Sequence, residues 1–407
     1  MKIRRKRETG ITLIALVISI IVLLILAGVA IAALSGDNGI LTRAKEAKEK
    51  TEQAQKDEKE TLSNMENMLG VYNFKNINPA DTNPAGAMPS DIEVLENNAN
   101  KGIVIKDKNE NEWVWIEVPK TTVFSGLTID TTKELTEQDY NDIRDKLIDY
   151  AATYREGALG QGYNWIDEWY DDCGMTSEEY IAAYQKMLKS VYKYGGFWIG
   201  RYEAGIKGSI EDATKYRTTA SERIVIGTSP KAIIKKDAIP YNNIYCNEAQ
   251  ALANEITPDN DYKSSLLFGI QWDLVCKFLE AKSELTSTDI NSDSSKWGIY
   301  KDIIRTITSE NAKQAGNLWT KITEIKPADI ILLTTGASDE TKKMNIYDLA
   351  GNEWEWTLEH ATSDIKYPCA YRGGGYYCIG SSYPASYRFN YSTSYSDNSF
   401  SFRVTLY

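Results

Sequence analysis

Between Ile11 and Leu34 this chain runs for 24 residues without a charged side chain. Drawn out as an α-helix, the run would be about 36 Å long, against about 30 Å for the hydrocarbon core of a bilayer. A lone segment in lipid must satisfy its own backbone hydrogen bonds, and helix is the conformation that does so. The core of a soluble domain seldom supplies so many uncharged residues in succession. The reading is therefore a transmembrane helix over 11–34. Lys2, Arg4, Arg5, Lys6 and Arg7 precede it, and the chain as a whole carries a formal net charge of -11. Basic residues stay on the cytoplasmic side, so the N-terminus is expected inside the cell and the rest outside, on a single-pass anchor in the cell membrane. A cleaved secretory signal would have a shorter apolar core followed by a small-residue site. Here the break signal, Gly10, comes before the run.

Lys6-Arg7-Glu8-Thr9-Gly10 followed by Ile11-Thr12-Leu13-Ile14-Ala15-Leu16-Val17 resembles the start of type IV prepilins and pseudopilins. The resemblance implies that a prepilin peptidase cuts between Gly10 and Ile11, making 1–10 a leader and leaving the helix on the mature protein. That family commonly has glutamate at the fifth mature position, where it helps register subunits in a filament; this chain has Ala15 there. Residues 35–70 are rich in Ala, Lys, Glu and Gln, with Glu46 and Lys50 at helical i,i+4 spacing, and read as a helical stalk. Pro79, Pro84 and Pro89 among Asn, Asp and Ala read as a linker over 71–101.

Hydrophobic residues at 42% and charged residues at 25% belong to a folded domain. The acidic balance excludes nucleic acid as a partner, because that needs a basic footprint. A single histidine, His360, removes histidine pairs, triads and multi-histidine metal sites. The five cysteines, Cys173, Cys246, Cys276, Cys369 and Cys378, include no C-x-x-C and make neither a dense disulfide framework nor a zinc site. Residues 102–407 form the globular part. Its start, Ile103 to Val118, reads as two strands around a polar turn. Residues 133–192 are helical in pattern and look like an insertion. Irregular alternation of short strands and helices, with no repeat, P-loop or G-x-G-x-x-G, gives an α+β class.

Several segments resemble, in order, the formylglycine-generating-enzyme (sulfatase-modifying-factor) branch of the C-type-lectin-like fold. They are Gly196-Phe197-Trp198-Ile199-Gly200-Arg201-Tyr202-Glu203, Pro240-Tyr241-Asn242-Asn243, Gln271-Trp272-Asp273, Asn345-Ile346-Tyr347-Asp348-Leu349-Ala350-Gly351-Asn352-Glu353-Trp354-Glu355-Trp356, Tyr371-Arg372-Gly373-Gly374-Gly375-Tyr376 and Ser401-Phe402-Arg403-Val404. The enzymes of that branch use two cysteines and copper in an oxidase reaction. Cys378 falls at the first cysteine position and Tyr383 at the second, so the paired thiol chemistry has only one member and no enzyme is expected. Cys369 could pair with Cys378 as a structural disulfide. The resemblance also implies calcium at Asp348, Gly351, Glu353 and Glu355, whose carboxylates and carbonyls are hard oxygen ligands. Trp354 and Trp356 read as core residues, and Arg403 as one end of an internal ion pair.

The tail 376–400, YYCIGSSYPASYRFNYSTSYSDNSF, holds neither lysine nor glutamate. Its apolar residues do not alternate as in a core strand, and its aromatics are too many for a disordered linker. Tyrosine with Ser, Gly and Asn is the composition of antibody paratopes, where it gives wide amphipathic contact at low entropy cost. Here the chain resembles the variable proteins of diversity-generating retroelements, which use a lectin-like fold and randomise a C-terminal segment ahead of a Phe-Arg-Val strand. The resemblance implies contact residues Tyr376, Tyr377, Cys378, Ile379, Tyr383, Tyr387, Phe389, Tyr391, Tyr395, Asp397, Asn398 and Phe400, among fixed-looking Gly380, Pro384-Ala385-Ser386 and Arg388. The expectation is a surface-displayed binder of an extracellular ligand, protein or cell surface. The alternatives are a minor-pilin adhesin with fixed specificity and, behind it, an oxidase of the formylglycine-generating type.

Overall fold

The computed structural model describes residues 17–25, 45, 47, 48, 50, 51, 53, 55, 56, 74–155, 164–208, 224–257, 261–301, 303–316, 318–326 and 329–407. They belong to two compact units, Met1–Val71 and Tyr72–Tyr407. In the first, residues 17–25 are helical and present their apolar side chains outward, Leu23 and Leu24 with 65% and 68% exposure. Among the described residues no helix is long and apolar enough to cross a membrane. The remainder of the apolar run over 11–34, and the cleavage positions Gly10 and Ile11, lie outside the described residues. The stalk expected over 35–70 is described only at the positions between 45 and 56, which are helical.

The second unit is α+β. Its larger sheet has six strands in the order β1 (Glu93–Glu96), β2 (Val104–Lys106), β3 (Glu112–Glu117), β5 (Gly196–Gly200), β15 (Val404–Leu406) and β8 (Ser264–Leu266). The pairings along it are antiparallel. The β2–β3 hairpin is the one read from the sequence. The Asp107 carboxylate accepts from the backbone N–H groups of Asn109 (2.8 Å) and Asn111 (3.0 Å), which pins the turn between the strands. In β3 the four central residues, Trp113 to Ile116, are all buried, as a strand covered on both faces requires. β15 lies between β5 and β8, so it is an interior strand of the sheet, next to its edge.

The second sheet runs β13 (Arg388–Tyr391), β12 (Cys369–Arg372), β11 (Trp354–Ala361) and β14 (Phe400–Phe402), with β4 (Trp165–Ile166) paired to the far end of β11. Two small ribbons complete the strands, β6 (Gly205–Ile206) with β7 (Ala232–Ile233), and β9 (Lys313–Gln314) with β10 (Thr320–Lys321). The main helices are α1 (Glu137–Tyr150), α2 (Ser177–Tyr194), α3 (Cys246–Asn254), α4 (Gly269–Lys282) and the short α5 (Ser287–Asn291). Capping boxes of Thr136 with Asp139 and of Thr176 with Glu179 start α1 and α2. Gly195 ends α2 in the left-handed region at φ 70°, where a β-carbon would lie 1.9 Å from the Asp81 carbonyl oxygen.

One boundary differs from the sequence reading. The linker expected over 71–101 is, from Phe74 onward, part of the domain. Pro84 opens a buried 3-10 turn capped by Asn83, the Ala87 carbonyl accepts from Trp198 Nε1 (2.7 Å), and Thr82 accepts from Trp115 Nε1 (2.8 Å). Pro84 marks a tight buried turn rather than free chain, because Pro suits the first helical position as well as it suits a linker. The segment 133–192, read as a helical insertion, packs into the domain. Ile143 and Leu147 of α1 and Met187, Leu188 and Val191 of α2 are buried, and Tyr180 donates to the Leu358 carbonyl of β11 (3.0 Å).

Candidate functional site

The tail enters the second sheet through β13, where side chains must alternate between faces. Arg388 and Asn390 are buried and Phe389 and Tyr391 are half-buried, so one strand serves two purposes. On the inward face Arg388 Nη2 bonds both Asp273 oxygens (2.9 and 3.1 Å), and Nη1 donates to the Arg155 carbonyl (2.6 Å). Arg372, its register partner on β12, holds Asp273 (2.6 Å) and Glu359 (3.0 Å). Arg155, from the segment read as an insertion, completes the cluster on Asp167 (3.0 Å), Asp273 (3.3 Å) and Glu359 (2.9 Å). Burial pushes the Asp273 carboxyl up, but the three guanidinium groups around it outweigh burial and hold it below its ordinary range. Asn390 donates to the Tyr367 carbonyl (2.6 Å).

On the opposite face the sheet is aromatic. Register places Phe389 against Tyr371 on β12, Tyr371 against Trp356 on β11, and Phe400 against Trp354. Directly paired residues share a face, so these rings form a floor. Trp356 is sealed, its indole donating to the Ile244 carbonyl (3.1 Å). Trp354 and Tyr371 pack edge to face with centroids 4.9 Å apart. Above them lie the tail's own rings. Tyr383 and Tyr387 are 5.0 Å apart, Tyr387 stacks with Phe389 at 6.4 Å, and Tyr391 stacks with Tyr395 at 3.5 Å. Trp354 Nε1 donates to the Tyr377 hydroxyl (3.0 Å), and the Tyr376 hydroxyl reaches Asn398 Oδ1 (3.4 Å). Tyr377, Ile379 and Tyr383 are exposed at 40%, 36% and 37%, high for such large groups. Burial raises the hydroxyl pKa of Tyr377 and Tyr387 and carries that of Tyr395 to about 12, so at neutral pH these hydroxyls donate and accept without charge.

The residues that looked fixed are the tail's anchors. Ser294 N donates to the Gly380 carbonyl (3.2 Å), Ala385 N donates to Ser294 Oγ (2.9 Å), and Ser386 N donates to the Ile290 carbonyl (3.2 Å). Trp272 Nε1 donates to the Ala385 carbonyl (3.0 Å). The loop leading to β14 is held by the Asn242-Asn243 pair. Asn242 Nδ2 spans the Asn398 carbonyl (2.6 Å) and Glu353 Oε1 (2.8 Å), and Asn243 N donates to the Asp397 carbonyl (3.0 Å).

Of the twelve contact positions expected from the sequence, Tyr376, Tyr377, Ile379, Tyr383, Tyr387, Phe389, Tyr391, Tyr395, Asp397 and Asn398 lie wholly or partly at the surface. Cys378 and Phe400 do not: they are 4% and 3% exposed and pack under the others. Cys378 closes a turn on the Gly375 carbonyl, and Phe400 lies in β14 against Trp354. Asp397 also turns its carboxylate to its own loop, accepting from Ser399 N (3.1 Å) and Ser399 Oγ (2.8 Å). The cysteine pairing considered from the sequence is not formed. All five thiols are free, with Cys369 opening β12 and Cys378 in the turn beyond Gly375. Sequence reasoning missed Tyr371 and Trp354 as the floor, and Asp273, Glu359, Arg155 and Asp167 as the ion cluster beneath. Their sequence separations carry no periodic signal.

The positions expected for calcium have structural duties. Asp348 lies in the left-handed region (φ 55°) and accepts from Gly336 N (2.7 Å) and Thr341 Oγ1 (2.8 Å). Glu355 receives Arg403 through Nε (3.1 and 3.0 Å) and Nη2 (2.6 Å), the internal ion pair read for that arginine. Gly351 (φ 78°) passes so close to Ile299 that a β-carbon would meet its carbonyl oxygen at 2.0 Å. Among the described residues no group of three or more His, Cys, Asp or Glu side chains is arranged to hold a metal ion. Asp348, Gly351 and Asn352 all take left-handed backbone conformations, which these residue types tolerate.

No family model and no curated protein matches the sequence. Among solved structures, Treponema denticola variable protein 1 is similar over 52% of this chain and 84% of that one, with 12% identity and a TM-score of 0.29, too loose a likeness to establish shared topology.

Proposed function

We propose that this chain is a membrane-anchored, surface-displayed binding protein that uses residues 376–400 as a diversified contact surface for a protein or cell-surface ligand. The observation that carries the reading is the division of labour along β13. Arg388 and Asn390 hold the scaffold while Phe389 and Tyr391 face outward beside Tyr383, Tyr387 and Tyr395. A half-exposed layer of neutral tyrosines on a rigid floor gives large contact area, adaptable hydrogen bonds and little entropy loss on binding. Its outward positions can change without disturbing the buried ion cluster. The apolar run 11–34 supplies the anchor, with the basic N-terminus inside the cell, and a prepilin peptidase removes the leader after Gly10. This reading assigns the chain no reaction; binding is the whole of its activity.

The test is to sequence codons 376–400 of this gene from many cells of one population, with the flanking DNA. Substitutions clustered at the outward positions, traceable to adenines in a nearby template copy, with Gly380, Pro384, Ala385, Ser386 and Arg388 constant, are the expected result. An invariant tail across the population refutes diversification and leaves a fixed-specificity adhesin.

A further inference from the structure

β11 and β12 are joined by a turn over 362–368 that stands beside β13 and lies outside the tail. Its backbone is fixed locally. Ala361 N donates to the Pro368 carbonyl (3.0 Å), Tyr367 N donates to the Asp364 carbonyl (3.0 Å), and the Asp364 carboxylate accepts from Lys366 N (3.2 Å). Thr362 N and Oγ1 both donate to the Asn164 carbonyl (3.0 and 3.1 Å), and Asn164 N donates to Ser363 Oγ (2.9 Å). The turn holds Ile365 out at 94% exposure, the highest of any large hydrophobic side chain among the described residues; the next, Leu24, is at 68%. The bonds of the turn are made by Ser363, Asp364 and the backbone, and they give no reason for an isoleucine at its tip.

Two residues on, the Tyr367 ring meets Tyr391 edge to face at 5.6 Å, and Tyr391 stacks on Tyr395. The aromatic layer therefore continues from the tail into the turn. The Tyr367 carbonyl takes the side-chain amide of Asn390 (2.6 Å), so a buried inward residue of β13 sets the place of the turn. Lys366 is exposed, with Nζ 4.9 Å from the Tyr367 ring centroid, and forms no ion pair among the described residues. The tail's two charged side chains are engaged, Arg388 on Asp273 and Asp397 on Ser399. A lone apolar residue at a surface needs no explanation, but one that extends an aromatic face beside an unpaired cation has the make-up of a contact.

We propose that Ile365, Lys366 and Tyr367 are the constant part of the contact surface, shared by every version of the tail. The inference rests on the tail being a contact surface, and it names what its ligands have in common. They are protein segments with an apolar side chain to cover Ile365 and a carboxylate to meet Lys366. Covering Ile365 takes out of water apolar area that the folded domain leaves in it, and the carboxylate brings Lys366 the partner that the domain does not provide. The turn sets where a ligand lands, and the tail chooses which ligand stays.

The experiment uses the full chain in detergent and a phage-displayed library of random linear peptides. Peptides are selected on the parent and depleted on Tyr391→Ala, which leaves those that need the tyrosine layer. Their binding is then measured by fluorescence anisotropy. The expected pool is enriched in sequences that place an apolar residue near Asp or Glu. Ile365→Ala weakens these peptides about tenfold, and Lys366→Gln weakens them several-fold and flattens their salt dependence. Leu95→Ala, at an exposed position of β1 in the other sheet, changes nothing. Ile365 and Lys366 are exposed, so both variants keep the parent's circular dichroism and melting midpoint. Tyr391-dependent peptides that bind Ile365→Ala and Lys366→Gln as tightly as the parent overturn the inference and leave the tail reading standing. A library that yields no Tyr391-dependent peptide overturns both.

Discussion

Replacing Arg388 with alanine removes one of three guanidinium groups, those of Arg155, Arg372 and Arg388, that face three buried carboxylates, those of Asp167, Asp273 and Glu359. The parent cluster balances three charges against three; the variant leaves two cations for three anions, all screened from water. Arg388 makes two short bonds to Asp273 and one longer contact, 3.4 Å, to Glu359. Breaking a buried pair by deleting one partner costs about 3–5 kcal/mol, mainly because the other charge is left uncompensated. That is a large fraction of the 5–15 kcal/mol that separates typical folded and unfolded states. Urea unfolding, followed by the fluorescence of buried Trp113, Trp198, Trp272 and Trp356, measures the loss directly. The pH dependence distinguishes charge from packing. In the parent, Asp273 is held below its ordinary pKa, so its contribution is complete above the unfolded value and is lost as pH falls through the depressed folded value. In the variant Asp273 keeps Arg372 and Arg155 but loses its Arg388 bonds, so its folded pKa moves back toward the unfolded value and less stability is lost as pH falls. The gap between the two proteins must therefore narrow on acidification. Arg388→Met, which keeps the stem, should show the same pH trend. A loss under about 1 kcal/mol at neutral pH, or a gap independent of pH, refutes the charge argument.

Three further outcomes follow from the same geometry. Tyr387→Ala or Tyr391→Ala should cost no more than about 1 kcal/mol in urea unfolding, since both rings are half-solvated, while weakening any ligand the parent binds by at least about tenfold in surface plasmon resonance. Gly195→Ala should destabilise by about 1–3 kcal/mol in the same unfolding assay, because the left-handed cap of α2 has no room for a β-carbon beside the Asp81 carbonyl. Burial, together with Asp348, Glu355 and Glu353, raises the Glu203 carboxyl well above its ordinary range against the pull of Arg403. The protonated form therefore stabilises the fold at lower pH, and that contribution fades as pH rises through the raised value. Melting curves across neutral pH should show this slope, and Glu203→Gln should flatten it.

The sequence was most legible where physics is local. The polar turn between β2 and β3 and the buried indoles of Trp354 and Trp356 follow from patterns within a few residues. The tail's surface character was legible too, because tyrosine with serine and asparagine is poor core material. What escaped was set by long-range pairing. Arg155 meets Glu359 across 204 positions and Asp273 meets Arg388 across 115, and nothing in either neighbourhood names its partner. The 71–101 stretch misled for a different reason. Pro84 and its neighbours suit a tight buried turn and a free linker equally well, and only Trp198 and Trp115, far along the chain, decide between them. Reading Cys378 and Phe400 as contacts failed because composition reports what a segment contains and not which way each side chain turns.

That last distinction is the one a diversified surface depends on. If stability resided in the outward rings, each new combination at 383, 387, 389, 391 and 395 would have to be refolded from scratch. The buried half of the tail instead carries charge pairs and backbone anchors: Arg388 on Asp273, Asn390 on the Tyr367 carbonyl, and the 380–386 turn on Ser294 and Ile290. Charge pairs are unforgiving of change, and half-exposed rings are tolerant of it, because an incorrect ring costs only part of a hydrophobic contact. The sheet therefore divides the same strand into a part where substitution is expensive and a part where it is cheap. The Trp354 and Tyr371 floor helps for the same reason. It gives any aromatic above it a flat partner, edge or face, without requiring one specific shape. A fixed adhesin gains nothing from such tolerance, whereas a protein whose contact residues change between cells cannot work without it.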